Sequence, residues 1–267
     1  MSNECKVLVL AGNGINCERE TKHAFNLAGA SKADIIHVND VKVRSRVLED
    51  YQILALPGGF SYGDHISAGI VLATDLKYQL YEPLIQFIEA EKLIIGICNG
   101  FQVQIRTGLL PGINKEYTRP TATLASNTSA QFEDRWVHLV ANSDSPCIFT
   151  KGVKHIYLPV RHGEGRFVPK DQEIHSQLKK NQQIVFQYAD EKRNITEEYP
   201  HNPNGSTDSI AGICDPTGRI FGLMPHPEAF CHPTNHPFWT RLRMSERKAQ
   251  GLIIFQNAVN HVKEHLI

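Results

Sequence analysis

An excess of charge of either sign is missing from this 267-residue sequence, in which 28 Lys and Arg balance 28 Asp and Glu. Without a summed positive field, binding of nucleic acid or of an anionic membrane by bulk electrostatics is excluded. Long apolar runs are missing too. The amino-terminal one stops at Gly12-Asn13-Gly14, too short for a secretory signal and far too short to cross a bilayer. A soluble protein of the cytoplasm is therefore expected. Cys5, Cys17, Cys98, Cys147, Cys214 and Cys231 form no CxxC pair and no metal-ligand spacing, which suits a reducing compartment and predicts no metal site. There is no internal repeat, no low-complexity tract and no composition break that marks a linker. A 41% hydrophobic content in a chain this long rules out a disordered tail protein and supplies a sizeable core.

What is present reads as an α/β layered domain. KVLVLA at residues 6–11 is almost continuously apolar, the signature of a parallel strand buried on both faces. Residues 18–28 carry Ala24, Leu27 and Ala28 on a helical stripe that Gly29 ends. Apolar runs at 33–38 and 51–59 predict two further strands, so the chain opens strand, helix, strand, strand. Helical periodicity covers 68–88, with Pro83 starting a second helix, before the buried strand LIIGI at 93–97. WVHLVA, HIYLPV and QIVFQYA, within 121–188, predict antiparallel additions to the sheet; SIAGICD and RIFGLM predict a last pair of strands, and 245–265 a closing amphipathic helix. Residues 190–209, polar and holding two prolines and Asn204-Gly205, predict a long loop that covers a site, contacts a partner or simply extends the surface.

The chemistry concentrates in three segments. LIIGICNGFQ at 93–102 sets Cys98 between Gly96 and Gly100 where a strand meets a helix, the arrangement of a nucleophile elbow. The glycines permit the tight turn, and the helix amino terminus favours a thiolate; a tight turn that merely contains a small apolar residue is the alternative. GLMPHPE at 222–228 offers His226 as the base and Glu228, two residues on, to orient it. One such histidine among thirteen would be weak evidence alone; the elbow gives it weight. PGGFSYGD at 57–64 brings a glycine turn whose Gly59 amide, with that of Asn99, can hold a tetrahedral oxyanion; a structural Pro-Gly-Gly turn is the bland reading. Gly12-Asn13-Gly14 completes neither GxGxxG nor the P-loop pattern.

PGGFSYGD, GICNGFQ and MPHPE, in this order, resemble the class I, or triad-type, glutamine amidotransferases. FSYGDHISAG at 60–69, GLLPG at 108–112, RHGEGRF at 161–167, NPNGS at 202–206, IAGI at 210–213 and FQNAV at 255–259 narrow the resemblance to the glutaminase component of phosphoribosylformylglycinamidine synthase, the PurQ type, over essentially the whole chain. The resemblance implies an open, mostly parallel, flavodoxin-like sheet flanked by helices, with antiparallel additions, in a single domain over residues 1–267. It also implies Cys98 as nucleophile, His226 as acid-base, Glu228 as its partner and Gly59 and Asn99 as oxyanion donors, with Gln102, His162 and Glu164 as elements of a glutamine pocket. The implied reaction turns L-glutamine into glutamate and ammonia through a Cys98 glutamyl thioester. The ammonia passes to a synthetase partner, with or without a small bridging subunit, that converts formylglycinamide ribonucleotide to the amidine in purine biosynthesis. No cofactor is expected in this chain; ATP and magnesium are expected on the partner.

Free-standing bacterial glutaminase subunits of this family are often shorter, and the 190–209 loop looks more like the corresponding domain of the single-chain synthetase. AFCHPTNHPFW at 229–239 gathers aromatics and prolines beside His226 and Glu228 and reads as a partner-facing segment or a packed connection. Two other functions compete. A stand-alone cysteine hydrolase would share the elbow, but not PGGFSYGD, HGEGRF and the His-x-Glu pair together; a non-catalytic regulatory subunit would not need all three triad residue types.

Overall fold

Strand and helix alternate through the first hundred residues. In the computed structural model, which describes residues 4–243 and 249–267, strand β1 (Lys6–Ala11) leads to helix α1 (Glu18–Leu27), β2 (Lys32–His37), α2 (Val38–Val43) and β3 (Ile53–Leu56). Then come α3 (Ile70–Gln79), α4 (Tyr81–Glu89), β4 (Leu93–Ile97) and α5 (Asn99–Thr107). The second half adds β5 (Ala122–Ser126), β6 (Glu133–Ala141), β7 (His155–His162), β8 (Glu164–Pro169), α6 (Gln172–Lys180), β9 (Ile184–Ala189), β10 (Ile210–Cys214), β11 (Ile220–Leu223) and α7 (Leu252–His265).

Among the described residues, nine strands form one sheet in the order β2-β1-β3-β4-β11-β10-β9-β6-β7, while β5 and β8 pair as a separate ribbon. β2, β1, β3, β4 and β11 run parallel. The remaining strands join antiparallel. This is the open, mostly parallel sheet with antiparallel additions expected from the sequence. Burial explains the patterning: β3, β4, β10 and β11 are buried at every position, as central strands covered on both faces must be, whereas edge strand β2 is mixed. Strand order reverses between β1 and β3, and in such sheets the crevice beyond the carboxyl ends of the strands is where ligands bind.

Four details depart from the sequence reading. The strand expected through residue 38 ends at His37, whose Nδ1 accepts the Asn39 N–H at 3.2 Å and starts α2. β2 and β3 are thus joined by a helix, as a parallel crossover requires. The β5–β8 ribbon and α6 stand where only short strands were expected; Asp171 caps α6 by accepting the Ile174 N–H at 2.9 Å. The last helix starts at Leu252 and not at residue 245, because the backbone before it is anchored by Gly251 N–H on the Phe230 carbonyl at 3.0 Å; residues 245–248 lie outside the described residues.

Candidate active site

β4 delivers the chain to Cys98 at φ +50°, ψ −104°, backbone that a non-glycine residue avoids at a cost of about 1–3 kcal/mol. Two hydrogen bonds hold it there: its N–H donates to the Leu223 carbonyl at 2.8 Å, and its carbonyl accepts the Gln102 N–H at 3.0 Å. α5 then presses onto β3 so closely that a Cβ at Gly100 would lie 1.9 Å from the Leu56 carbonyl oxygen. Glycine is required for that approach. The Cys98 thiol points towards β7, 3.5 Å from the Arg161 carbonyl oxygen.

β11 ends one turn short of His226. The His226 N–H donates to the Pro159 carbonyl of β7 at 2.8 Å, and its Nδ1 lies 2.5 Å from Glu228 Oε1, both side chains being buried. Burial opposes charge on this imidazole, but the Glu228 carboxylate and, after it, the thiols of Cys98 and Cys17 outweigh burial and raise its pKa well above the ordinary histidine range. The two thiols approach the ring closely enough to favour its charge, yet neither completes a hydrogen bond to Nε2. Gly58 makes room for the ring: a Cβ there would sit 2.7 Å from His226 Cε1.

A cavity of about 170 Å³ opens beside the cysteine, lined by Asn16, Cys17, Gly59, Phe60, Cys98, Phe132, Arg161 and His226. It is smaller than the ~300–1,000 Å³ of drug-sized pockets and suits a small substrate. Gly59, at φ +140°, is packed against Asn16 so tightly that only glycine fits, and it lines this cavity. Asn99 opens α5, where backbone N–H groups have no intrahelical acceptor. Its side chain accepts the Ser61 N–H at 3.2 Å and donates to Asp64 Oδ1 at 3.1 Å and Gln102 Oε1 at 2.9 Å.

A strand-helix cysteine beside a histidine-carboxylate pair, at the carboxyl end of a parallel sheet, is an arrangement for acyl transfer. The sequence matches the CobB/CobQ-like glutamine amidotransferase domain over residues 4–262. It is 47% identical to the phosphoribosylformylglycinamidine synthase subunit PurQ of Methanococcus maripaludis, over 96% of this chain and 97% of that protein. Against the PurQ subunit of Dehalococcoides mccartyi the identity is 44%, over 98% and 99%. The chain belongs to the PurQ family of glutamine amidotransferases. Among solved structures, that of PurLQS from Thermotoga maritima superposes with a TM-score of 0.71 at 30% identity, covering 97% of this chain and 99% of that one. A glutamine amidotransferase from the same organism, at 16% identity and TM-score 0.55, shares the fold.

In this PurQ-family chain the residues expected from the sequence fall into two groups. Cys98, His226 and Gly59 line the cavity, with Glu228 behind His226 and Asn99 behind Cys98. Gln102, His162 and Glu164 surround it without lining it. Gln102 donates to the Glu164 carbonyl at 2.5 Å. The Glu164 carboxylate accepts the Ser67 hydroxyl at 2.9 Å and the Ala68 N–H at 3.3 Å and pairs with Arg106 at 3.6 Å. His162 is buried with Nδ1 3.2 Å from Asn127 Oδ1; burial and then the charge of His226 push its pKa down to about 3, so the ring is neutral. The lining residues that sequence reasoning did not single out for this role are Asn16, Cys17, Phe60, Phe132 and Arg161. Cys17, Phe60 and Arg161 stand inside segments quoted above for the resemblance, which is the signal that was there to find them; no local pattern marks Phe132.

Two surface segments resolve in the same frame. Residues 191–200 of the late loop are largely exposed, whereas Asn202, Asn204, Ser206 and Ser209 are buried. Asn204 donates to the Gly165 carbonyl at 2.9 Å and Ser206 Oγ accepts the Phe167 N–H at 2.9 Å, so the loop braces β8, which follows the site strand β7. In the 229–239 segment Phe230, Cys231 and His236 are buried, and Phe238 and Trp239 are exposed. No described helix is long and apolar enough to cross a membrane.

Proposed function

We propose that this chain is the glutaminase of a phosphoribosylformylglycinamidine synthase, acting through Cys98, His226 and Glu228, and that it works as one domain over residues 1–267. The observation that carries the reading is the strained Cys98 turn sharing one small cavity with a histidine that a buried carboxylate orients at 2.5 Å. Membership of the PurQ family supplies the biological setting.

In this mechanism the Cys98 sulfur attacks the side-chain amide carbon of L-glutamine while its proton passes to His226 Nε2. Glu228 holds Nδ1 as the donor, so Nε2 is the nitrogen that exchanges protons. The Gly59 and Asn99 amides stabilise the oxyanion of the tetrahedral intermediate. Collapse returns the proton from His226 to the leaving nitrogen, giving ammonia and a glutamyl thioester. His226 then takes a proton from water, and the hydroxide released attacks the thioester to yield glutamate and free Cys98. Gln102, His162 and Glu164 act around this cavity by fixing its walls, and the 61–69 loop is held through Glu164 and Asn99.

The ammonia goes to the PurL-type synthetase subunit, the setting PurQ subunits share, for conversion of formylglycinamide ribonucleotide to the amidine. ATP and magnesium belong to that partner in this reading. The Asn13 and Gly14 carbonyls accept the Tyr62 and Phe60 N–H groups at 2.6 and 2.8 Å, so this turn is committed to packing against the 60–62 turn and is not a phosphate cradle. We place the protein in the cytoplasm, where the nucleotide substrates and the synthetase are. The test is Cys98→Ala in the reconstituted synthetase: glutamine-dependent amidine formation is lost and ammonium-dependent formation persists. Loss of both together would overturn the donor-subunit reading.

A further inference from the structure

The sequence holds no metal-ligand spacing, yet the fold brings three different donors together. Among the described residues, one ligand atom each from Cys17, His226 and Glu228 lie within 4.8 Å of one another. Cys17 reaches this point because it closes the turn before α1, and Gly58 lets it meet the imidazole: a Cβ at Gly58 would lie 3.4 Å from Cys17 Sγ and 2.7 Å from His226 Cε1. A second observation points the same way. His226 Nε2 and Glu228 Oε2 are buried and have no hydrogen-bond partner, on side chains that are only 3% and 1% exposed. Two lone-pair donors are thus withdrawn from water without a proton to share, beside a sulfur.

We propose that Cys17, His226 and Glu228 form a binding site for a borderline-soft divalent cation of the zinc type, distinct in its ligands from the nucleophile. The donor set is the argument for the class of ion. Thiolate, imidazole and carboxylate oxygen together suit zinc, whereas magnesium and calcium take oxygen ligands. At bond lengths of about 2.3 Å to sulfur and about 2.0–2.2 Å to nitrogen and oxygen, tetrahedral geometry sets the donors roughly 3.4–3.6 Å apart. The three have to draw together by about 1 Å at most. Cys17 binds as the thiolate, its proton passing to solvent. The fourth position faces the cavity and takes water. Occupied, the site engages the nitrogen that accepts the Cys98 proton, so the ion inhibits the glutaminase reversibly.

The site rests on the geometry of these three residues and not on the reaction assigned above, so a direct binding measurement tests it separately. Zinc is competed between the purified chain and a chromophoric chelator, and cobalt is added as a spectroscopic probe. Wild type is expected to take up one equivalent of zinc and to show one thiolate-to-cobalt charge-transfer band in the near ultraviolet. Cys17→Ser and Cys17→Ala, with far-ultraviolet circular dichroism unchanged, lose the band and at least 100-fold in zinc affinity, beyond the ~10–100-fold that loss of an outer-shell partner costs. Glu228→Gln weakens zinc but keeps the band, and Cys98→Ser keeps both. A wild type that takes up no equivalent, a band that survives both Cys17 variants, or a band lost only in Cys98→Ser overturns the proposal.

Discussion

The Asn99 side-chain oxygen accepts the Ser61 backbone N–H at 3.2 Å, which ties the first turn of α5 to the loop that follows Gly59. The two amides assigned to the oxyanion come from different segments of the chain, and this side chain sets their spacing. Its amide nitrogen extends the tie to Asp64, whose carboxyl is raised first by burial and then by the charge of Glu164. Asn99→Ala is therefore expected to leave the backbone donor in place but let the loop drift, lowering kcat by about 10²-fold, the low end of what loss of one oxyanion donor costs. Steady-state glutaminase kinetics of the synthetase complex check this; an unchanged kcat contradicts the tie.

Among six cysteines only Cys98 has the elbow geometry. A glutamine-analogue electrophile is expected to label Cys98 and spare Cys17 and Cys231, whose thiols burial pushes up, Cys231 to about 12. Peptide mass spectrometry after brief exposure measures the distribution. Equal labelling of Cys17 would contradict the assignment of the nucleophile.

Glu228→Gln removes the charge that offsets the burial of His226. Burial alone lowers the pKa of a histidine, so the titration of the His226 ring is expected to move to lower pH in the variant. With the tautomer no longer fixed by a carboxylate, kcat falls by about 10²–10⁴-fold. Ring proton shifts in the nuclear magnetic resonance spectrum follow the first effect, and glutaminase assays the second.

The His138 and His155 rings meet at 3.1 Å on β6 and β7, away from the site. Burial, and for His155 next the charge of His138, hold both pKa values down, that of His155 to about 4 against an ordinary 6.5. The unfolded chain takes up a proton near pH 6.5 that the folded chain refuses until about pH 4. Stability contributed by the neutral pair is present above pH 6.5 and is lost as pH falls through that window. The melting temperature should drop between pH 6.5 and 4, and His155→Gln should flatten the drop.

Gly100→Ala forces a methyl to within 1.9 Å of the Leu56 carbonyl oxygen, backbone that has no room to yield. A loss of about 3 kcal/mol is expected from overpacking, or roughly 6–12 °C in Tm. A melting curve matching wild type would mean that α5 and β3 are not in that contact.

Much of the fold could be read from local pattern. β1, α1, β4, β10 and β11 were predicted within a few residues because continuous apolar runs and a glycine stop are local signals. α2 and the β5–β8 ribbon were not, since α2 is six residues long and β5 is only partly buried, too little for periodicity to register. Cys98 and the His226-Glu228 pair were legible because elbow and His-x-Glu are each contiguous in sequence. The partners of Glu164 were not: Ser67 and Arg106 are 97 and 58 residues away along the chain.

The sequence by itself determined the class of fold, the family and the three residues of the triad, because each is written in residues adjacent to one another and spacing along the chain is what a sequence records. Tertiary structure alone decided what surrounds them. It brought Phe132 from β6's approach and Asn16 from β1's exit to one cavity, turned Glu164 onto the 67–68 backbone, and set the Cys17 thiol beside the His226 imidazole across 209 intervening positions. Those neighbours are selected by strand order in the sheet, which a pattern of apolar and polar residues constrains only by face and never by distance.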